Sequence, residues 1–531
     1  MKNNRKKHGL PPLGSDETAG RVCAVPTVSV EEAFRPEYTG GFDVVIGNPP
    51  YVQLQSMGAM SDVYAQCGFE SYNKSADLYC LFTERGYNLL KTNGLQSFIM
   101  PNKWMLVDYG KELRRFLTKT DLQQILNFGD IQFFQDATTY VCIFVTRKSN
   151  VRNTVLALSL NKKNYYGNFM TEIPAALQEF DNETFGEDPW IIRPAVHTAI
   201  LRKMAEGTPL KNLPIEINYG IKTGFNDAFF IDGETRSRLI AEDQKSGEII
   251  KPLLRGRDIK AWVPDLVDLY LINPHNGVKS IGIEPINIDD FPAIKKYLDQ
   301  FYDKLEKRID KGVTPYNLRN CDYINAFSQT KIMYPNMTSA FPFIFDDKGF
   351  FGNDKTFMIT ATYDSINLKY LTAIFNSKLC KLWIWYNCPE LQGGTREIRK
   401  VYFENFPIPE SPNQQPLIEL AETMIVLNKD LQQKRSRFHR RLQENMPGIK
   451  INGALETFDN LDFAGFVAEL KKQKIKLTLV QQDEWEEYFN QYKTECQSLK
   501  TQIATTDKEI DKKVYELYGL TEEEIKVVEE K

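Results

Sequence analysis

Residues 42–51, FDVVIGNPPY, constrain the fold more than any other stretch, because they predict a β-strand with a defined end. Residues 44–46 are β-branched, and such residues favour a pleated, buried strand. The two prolines that follow lack backbone donors and have a fixed φ, so the chain must leave the sheet at Asn48. In α/β proteins, loops at the carboxyl ends of strands are common ligand sites. The segment from Asn48 to Tyr51 is therefore the first place to look for chemistry.

The pattern after this strand alternates between helix and strand. Residues 77–91 place several leucines and Phe82 on a helical face, and residues 95–100 form a short apolar run. Similar alternation continues to about residue 150, which is typical of a mixed α/β sheet. From about residue 186 to 410, short strand-like pieces rich in aromatic residues, glycine and proline predict a second, largely β domain.

The C-terminal part of the chain predicts two long helices. Apolar residues within 485–517 advance alternately by four and three positions, the spacing of a coiled-coil seam, and residues 417–442 carry a similar stripe. A proline-rich stretch, 407–416, precedes them and predicts a hinge-like linker. The simplest arrangement is an antiparallel pair that acts as a spacer or scaffold. Thr521 and Glu524 have the spacing of a capping box, which predicts a separate final helix.

The composition excludes several classes of protein. The chain has 531 residues, too many for one core, and it contains no apolar run long enough to span a bilayer. Its eight cysteines form no CxxC pair and its four histidines no HExxH spacing, so we expect reduced thiols, no metal site and a cytoplasmic location. The net charge of −4 provides no global attraction for nucleic acid. Any DNA binding must therefore use local basic patches.

The four residues Asn48, Pro49, Pro50 and Tyr51 suit the methylation of an exocyclic amine on an aromatic ring, as in adenine. The amine lone pair is delocalised into the ring and is a poor nucleophile. The amide oxygen of Asn48 and the carbonyl oxygen of Pro49 could each accept one amine hydrogen and aim the lone pair at an electrophilic methyl group. Tyr51 would stack on the base for about 1–3 kcal/mol, which offsets flipping the base from a duplex. The alternative is an ordinary turn with Tyr51 at its rim.

The same ten residues resemble the catalytic motif of the adenine-N6 DNA methyltransferases of the gamma type, as in type IIG restriction-modification enzymes. Further blocks resemble this family in the same order: ADLYCLFTERGYNLLKTNG at 76–94, LQSFIMPNKWM at 95–105, GKELRRFL at 110–117 and NFGDIQFFQDATTYVCIFV at 127–145. The resemblance implies that Asn48 and Pro49 bind the adenine amino group and that Tyr51 stacks on the base. Phe134 is the first choice for the second stacking face, and Phe133 is the runner-up.

By the same resemblance, the cofactor is S-adenosylmethionine and Phe82 lines the pocket for its adenine ring. Ordinary core packing is the alternative for each of these phenylalanines. Family members also carry, before the catalytic motif, a glycine-rich turn for the methionine end of the cofactor and an acidic residue for its ribose, and this sequence contains neither. We therefore expect an N-terminally truncated methyltransferase, with a separate chain as a candidate source of the cofactor-binding half. The nuclease pattern of restriction members is also missing, since the nearest string, at 264–270, lacks its lysine.

The predicted β domain resembles the TaqI-like specificity domain of such enzymes, notably in INYGIKTGFNDAFFID, RGRDIKAW and YNLRNCDYINAFSQTKIMY. This resemblance implies double-stranded DNA as the partner. Arginine and lysine contact phosphates and guanine edges, so six cations are candidate DNA contacts: Arg255, Arg257, Lys260, Arg396, Arg399 and Lys400. For each of them a solvated surface charge is the open alternative.

These observations predict an α/β fold with a partial Rossmann-like methyltransferase domain, a mainly β or mixed target-recognition domain and a helical, coiled-coil-like C-terminal region. The expected segments are a polar tail, the catalytic domain, a connector, the recognition domain and the helical region, at 1–26, 27–150, 151–185, 186–410 and 411–531. The predicted function is N6 methylation of a flipped adenine in a restriction-modification system. The alternative is a sequence-specific DNA-recognition module whose catalytic domain is vestigial or completed by a partner.

Overall fold

The strand predicted before Asn48 is present and begins the first of two units. The computed structural model describes residues 40–132, 139–160, 169–193, 195–265, 267–363, 366–391 and 394–530. Contacts between residues group the described chain into one unit made of 40–126, 142–156 and 179–189, and a second made of the described residues in 127–141, 157–178 and 190–530.

Most residues of a six-stranded sheet, with the order β1-β2-β4-β3-β5-β6, lie in the first unit. The strands are β1 (Phe42–Gly47), β2 (Leu90–Pro101), β3 (Asp121–Gln132), β4 (Tyr140–Arg147), β5 (Thr154–Ser159) and β6 (Gln178–Asp181). The helices of this unit are α1 (Ala59–Gln66), α2 (Leu78–Asn88) and α3 (Lys111–Leu117). Strands β1 and β2 are parallel, and α1 and α2 lie in the crossover that such a pair requires.

Strand β1 lies at the edge of this sheet, although its β-branched sequence predicts a buried strand. Among the described residues, it pairs with β2 alone. The side chains of Val44 and Ile46 are 57% and 78% exposed, so the prediction of burial is wrong for this part of the chain. The residue types of β1 determine its extended conformation but not how many strands pair with it, because the pairing strands come from other parts of the sequence.

The second unit contains two four-stranded sheets, with the orders β15-β10-β11-β9 and β14-β12-β16-β8, and the two-stranded pairs β13-β17 and β18-β7. Its strands are β7 (Thr208–Pro209), β8 (Ile215–Tyr219), β9 (Phe230–Ile231), β10 (Ile250–Leu254), β11 (Tyr270–Ile272), β12 (Lys331–Pro335), β13 (Met337–Thr338), β14 (Ile344–Asp346), β15 (Phe351–Gly352), β16 (Thr356–Ala361), β17 (Arg396–Glu397) and β18 (Pro407–Ile408).

Helices lie between these strands and dominate the end of the chain. Those before residue 410 are α4 (Phe169–Ala176), α5 (Ala195–Met204), α6 (Asn226–Phe229), α7 (Gly233–Glu242), α8 (Pro292–Asp299), α9 (Tyr302–Glu306), α10 (Leu368–Asn376), α11 (Lys378–Asn387) and α12 (Lys400–Phe403). Those after it are α13 (Gln415–Asn445), α14 (Gly453–Glu456), α15 (Phe463–Lys472), α16 (Leu479–Leu517) and α17 (Glu522–Glu529). The recognition part is thus mixed α/β, which agrees with the mixed form of the prediction.

The two long helices α13 and α16 pack together, as the spacing of their apolar residues predicts. Leu417 and Met424, early in α13, share a hydrophobic cluster with Val514, near the end of α16. Phe438, late in α13, shares another cluster with Phe489, near the start of α16. The pair is therefore antiparallel. The predicted capping box is also present, because Thr521 and Glu524 bond reciprocally at the start of α17.

The first part of the proline-rich stretch before α13, residues 407–409, packs into the fold and is not a free linker. Pro407 and Ile408 form β18, which pairs with β7, and both residues are buried. The Tyr518 hydroxyl donates to the carbonyl oxygen of Pro407 at 2.6 Å. Proline lacks a backbone N–H, but it can lie in a strand of this kind because a short two-stranded pair requires few N–H donors from each strand. None of the helices in the described part of the chain is long and apolar enough to cross a bilayer.

Candidate active site and nucleic-acid interface

The loop after β1 presents Asn48 to solvent. Strand β1 ends at Gly47, and the next three residues are exposed, buried and exposed in turn, so that Asn48 and Pro50 face outward while Pro49 packs inward. A proline has no N–H and a restricted φ, so two in succession hold this loop in an extended form without ladder bonds. The amide of Asn48 is therefore displayed at the carboxyl end of a strand, as the sequence predicted.

Backbone hydrogen bonds and the ring of Tyr51 fix this loop against the start of α2. The N–H of Leu78 donates to the Val52 carbonyl at 2.7 Å, and the N–H of Leu54 donates to the Ala76 carbonyl at 2.9 Å. The Tyr51 ring meets Tyr79 edge-on, with 6.4 Å between the ring centroids. These contacts bring the NPPY motif and the DLYCLF block together, two segments that the sequence analysis treated as separate blocks.

The Tyr51 hydroxyl is also held in place. It donates to the carbonyl oxygen of Ile99, in β2, at 3.4 Å. Burial raises the pKa of the phenol, and the neighbouring Cys142 thiol adds to the effect. Tyr51 therefore stays protonated and donating at neutral pH, and its ring orientation is set by β2 on one side and by α2 on the other.

A carboxylate and two tyrosines next to this loop were missed by sequence reasoning. The Tyr109 hydroxyl donates to Asp77 Oδ2 at 3.4 Å, and the hydroxyls of Tyr79 and Tyr109 are 3.3 Å apart. Burial raises the pKa of the Asp77 carboxyl, although these hydroxyls and the charge of Lys103 act in the opposite direction. An aspartate just before a helix suggests an N-cap, but the Asp77 side chain makes no capping hydrogen bond to α2. The sequence therefore predicts a helix cap at Asp77, whereas its carboxylate contacts the Tyr109 hydroxyl instead.

The predicted aromatic residues have different outcomes. Phe82, in α2, is 44% exposed, which argues against the alternative of core packing for this residue. Its assignment to a cofactor pocket stays a prediction. Phe134 and Phe133 lie outside the described residues, so their proposed place opposite Tyr51 also stays a prediction.

A cleft of about 550 Å³ in the second unit collects three of the six predicted DNA-binding cations. Its walls come from the segment after β10, from β12 and β13, and from the turn before β16; the lining residues include Arg255, Arg257, Lys260, Met337, Thr338, Asn353 and Lys355. Strand β13 pairs with β17, where Thr338 is opposite Arg396, so the second predicted group of cations begins next to the same cleft. Lys355 was missed, because its neighbours in sequence carry no other cation.

Two of the six cations are committed to carboxylates. The Arg255 guanidinium binds Asp258 through two nitrogens, at 2.8 and 2.9 Å. Arg396 is buried, bonds Glu390 at 3.1 Å and has its guanidinium carbon 4.1 Å from the Trp385 ring centroid. Their charges are therefore largely neutralised, and both side chains shape the cleft. A sequence shows where cations and acids stand, but it does not show which of them the fold brings into contact.

The other four cations face solvent. Lys260 is exposed, although its Nζ lies 3.4 Å from Asp265, and the exposed Arg399 pairs with Glu397 at 2.7 Å. Exposed pairs of this kind are worth at most about 1 kcal/mol, so a phosphate can displace them. Arg257 and Lys400 are exposed and, within the described chain, make no ion pair. No group of three or more His, Cys, Asp or Glu side chains among the described residues could hold a metal ion.

The sheet with its Asn48–Tyr51 loop defines a methyltransferase-type domain, and the cleft belongs to a second domain with accessible cations. Residues 23–134 match the family model of the Eco57I restriction-modification methylases, and residues 251–408 match the TaqI-like C-terminal specificity domain. Residues 410–514 match a domain of unknown function, DUF8810. The predicted resemblance is confirmed: the chain is related to the adenine methyltransferases of restriction-modification systems of the type IIG kind.

The similar proteins are type II methyltransferases. M.BstVI of Geobacillus stearothermophilus is 25% identical over 396 residues, which cover 70% of this chain and 67% of that protein. M.PaeR7I of Pseudomonas aeruginosa is 24% identical, over 73% of this chain and 68% of that protein. RM.Eco57I of Escherichia coli is a restriction enzyme and methyltransferase that is 29% identical over 205 residues, which cover 37% of this chain and 20% of that protein.

The fold class is confirmed by a solved structure. The type IIL restriction-modification enzyme MmeI in complex with DNA matches 92% of this chain with a TM-score of 0.51 and 13% sequence identity. The chain spans 56% of that protein. At this identity the match shows the fold alone.

Proposed function

We propose that this chain methylates the N6 amino group of an adenine in double-stranded DNA, as part of a restriction-modification system in the cytoplasm. One observation carries the proposal: the NPPY loop is fixed by hydrogen bonds at the carboxyl end of β1 with the Asn48 side chain facing outward. The relatives are methyltransferases, and the same chain continues into a specificity domain with accessible cations.

Asn48 and Pro49 act on the amine. The Asn48 amide oxygen accepts one amine hydrogen and the Pro49 carbonyl oxygen accepts the other, which draws the nitrogen toward tetrahedral geometry and localises its lone pair. The nitrogen would then bond the methyl group as the methyl–sulfur bond of S-adenosylmethionine breaks and leaves S-adenosylhomocysteine, and one proton would pass from the nitrogen to solvent. Because hydrogen bonds and two prolines hold the loop, these acceptors need no rearrangement when the base arrives.

Tyr51 stacks on one face of the flipped base. Its ring is oriented by the edge contact with Tyr79 and by the hydrogen bond to the Ile99 carbonyl, so it forms a rigid platform. Stacking on such a platform is worth about 1–3 kcal/mol, similar to the cost of extruding a base. We propose Phe134 for the opposite face, with Phe133 as the second choice.

S-adenosylmethionine supplies an electrophilic methyl group when it is bound. The described residues fit one part of such a cofactor: Phe82 exposes its ring on α2, where an adenine ring can stack.

We propose that a separate chain packs beside β1 and completes the pocket, because the exposed apolar side chains of Val44 and Ile46 are available for burial there. Calorimetric titration with S-adenosylmethionine tests this proposal, since tight binding by the chain alone would contradict the need for a partner.

The cleft contacts the DNA. We assign Arg257, Lys260 and Lys355 to phosphates or base edges along the cleft, and Arg399 and Lys400 to phosphates beside β17. Arg255 and Arg396 position the walls through their ion pairs with Asp258 and Glu390.

The substitution Asn48→Ala tests the assignment. It should lower kcat for methyl transfer at least about 100-fold, as the loss of one preorganised transition-state hydrogen-bond partner does, while the dissociation constant for DNA changes less than about twofold. Asn490→Ala is the matched control, because Asn490 is exposed on α16 and far along the chain from the motif. Equal loss of transfer and DNA binding would mean that Asn48 is structural.

A second candidate function is DNA recognition without methyl transfer. The pairing of β1 favours it, because among the described residues β1 pairs with β2 alone and exposes Val44 and Ile46. Specific DNA binding by the purified chain, with no methyl transfer under any cofactor concentration or with any neighbouring gene product, would select this function.

A further inference from the structure

The loop between α9 and β12 exposes two aliphatic side chains at its tip. Ile309 is 98% exposed and Val313 is 67% exposed. Other large apolar residues close to this loop in sequence, such as Leu305 and Leu318, are fully or almost fully buried. Single exposed apolar residues are common, but an isoleucine with almost no protein contact is available for burial against a partner.

This loop is held rigidly from within. Arg308 is buried, and its guanidinium donates to four backbone carbonyls of the loop and its base: those of Thr223, Asp310 (3.3 Å), Pro315 (2.8 Å) and Asn317 (2.9 Å). Its carbon lies 4.6 Å from the centroid of the Phe229 ring. The tip residue Ile309 is thus adjacent in sequence to the residue that fixes the loop.

Further bonds fix the second half of the loop. The Asn317 amide donates to the Ile286 carbonyl at 2.8 Å and accepts from the Thr314 hydroxyl at 2.5 Å. The backbone N–H of Val313 donates to Asn276 Oδ1 at 2.7 Å. A tip held in this way loses little conformational entropy when it binds.

The charge around the tip suits a polyanion. Residues 304–319 contain five cationic side chains and two carboxylates. Lys307 and Lys311 are exposed and lie two positions on either side of Ile309. One of the two carboxylates, Asp310, is paired with Lys222 at 2.9 Å and with Arg319 at 3.4 Å, so it adds little negative potential. Lys304, Lys307 and Lys311 are the exposed cations near the tip, since Arg308 is buried and Arg319 is paired with Asp310. These lysines favour a groove lined by phosphates over an apolar protein surface.

The tip and the basic cleft share one supporting segment, residues 219–224. The N–H of Ile221 donates to the Gly352 carbonyl at 2.7 Å, and Ile221 forms a β-bridge with Asn353, which lines the cleft. Two residues later, the Thr223 carbonyl accepts from Arg308. A side chain at Gly220 would collide with the Asn353 carbonyl, which keeps the segment close to the cleft.

We propose that Ile309 is a wedge that inserts between stacked base pairs of the duplex held by the basic cleft, while Lys307 and Lys311 contact the phosphates beside it. Proteins that unstack DNA use rigid apolar side chains flanked by cations in this way. This proposal rests on the proposed function, because it requires duplex DNA in the cleft. The wedge would make recognition depend on how easily the step at that position is unstacked.

The experiment uses the full chain and a duplex that it selects from a randomised library, with 2-aminopurine placed at one position at a time. The wild-type protein should raise 2-aminopurine fluorescence at one step. Ile309→Ala should abolish that rise and weaken DNA binding about tenfold, and Ile309→Leu should retain both. Ile281→Ala is the matched control, since Ile281 is 55% exposed in the same unit, and it should leave both unchanged. Thermal unfolding should be the same for all four proteins.

Several results would overturn the wedge. Wild-type DNA binding without a fluorescence rise at any step contradicts it, as does an Ile309→Ala protein with normal affinity and normal fluorescence. A dimer in sedimentation that Ile309→Ala dissociates would identify a second copy as the partner instead. A wild-type protein that selects no duplex would contradict both the proposed function and the wedge. A protein that binds a selected duplex without a fluorescence rise would contradict the wedge alone, so the two failures are distinguishable.

Discussion

Replacing Lys331 with methionine should weaken the sheet that supports the basic cleft by about 3–5 kcal/mol, because it leaves a buried carboxylate without its cation. Lys331 lies in β12 directly opposite Asp346 in β14, with its Nζ 2.6 Å from Asp346 Oδ2. Both side chains are almost completely buried, and Lys331 also donates to the Phe327 carbonyl at 2.6 Å. Burial lowers the pKa of Lys331, and the charge of Asp346 acts against this shift.

The remaining carboxylate would not be entirely unsatisfied. Asp346 accepts backbone hydrogen bonds from Lys348 at 2.8 Å and from Phe350 at 2.9 Å. Asp346→Asn should cost a similar amount, because it leaves the buried ammonium unpaired. The double variant Lys331→Met, Asp346→Asn removes both charges, so its loss should be at least about 2 kcal/mol smaller than the sum of the single losses.

Hydrogen exchange of the backbone amides in β12 and β14 is the suitable assay, because a chain with two units need not unfold in one step. A loss of 3–5 kcal/mol corresponds to exchange that is faster by a factor of about 150 to 5,000. Unchanged exchange in the Lys331→Met protein, or a double variant whose loss equals the sum of the single losses, would refute this account of the ion pair.

Two further predictions concern charge. DNA binding, measured by fluorescence anisotropy, should weaken steeply as the salt concentration rises. Arg257→Ala should reduce the slope of log affinity against log salt by about 1, and an unchanged slope would exclude a phosphate contact by Arg257. Burial raises the pKa of Asp511 to about 6 from 3.8, so the folded state holds this proton more tightly and stability should fall by about 2 kcal/mol from pH 4 to pH 6. Asp511→Asn should remove this part of the pH dependence of thermal unfolding; an unchanged profile would contradict it.

Local sequence patterns predicted the features that depend on near neighbours. The strand before Asn48 follows from β-branched residues ended by two prolines. The antiparallel helices follow from the apolar spacing in 485–517, and the start of the last helix follows from Thr521 and Glu524. Each of these features is set within a few turns or within one strand, so the signal is present in contiguous sequence.

The features that failed or were missed depend on residues far apart in the chain. The exposure of β1 depends on how many strands pair with it, and residues 407–409 at the start of the proline-rich stretch are buried where β7, about 200 residues earlier, pairs with residues 407–408. Arg396 is an exception: its partners Glu390 and Trp385 lie only six and eleven residues earlier, but the sequence does not show that the chain folds back to bring them together. The carboxylate of Asp77 became a feature of the site only when Tyr109 was found next to it.

Analysis of the methylated nucleosides tests the central assignment most directly. Duplex DNA is incubated with S-adenosylmethionine and the protein, together with any chain that co-purifies with it, and the product is digested and examined by mass spectrometry. The account predicts N6-methyldeoxyadenosine in one sequence context, and its absence with Asn48→Ala. Methylated cytosine, or no methylated base despite specific binding to one sequence, would contradict the assignment of Asn48 and Tyr51 to an adenine site.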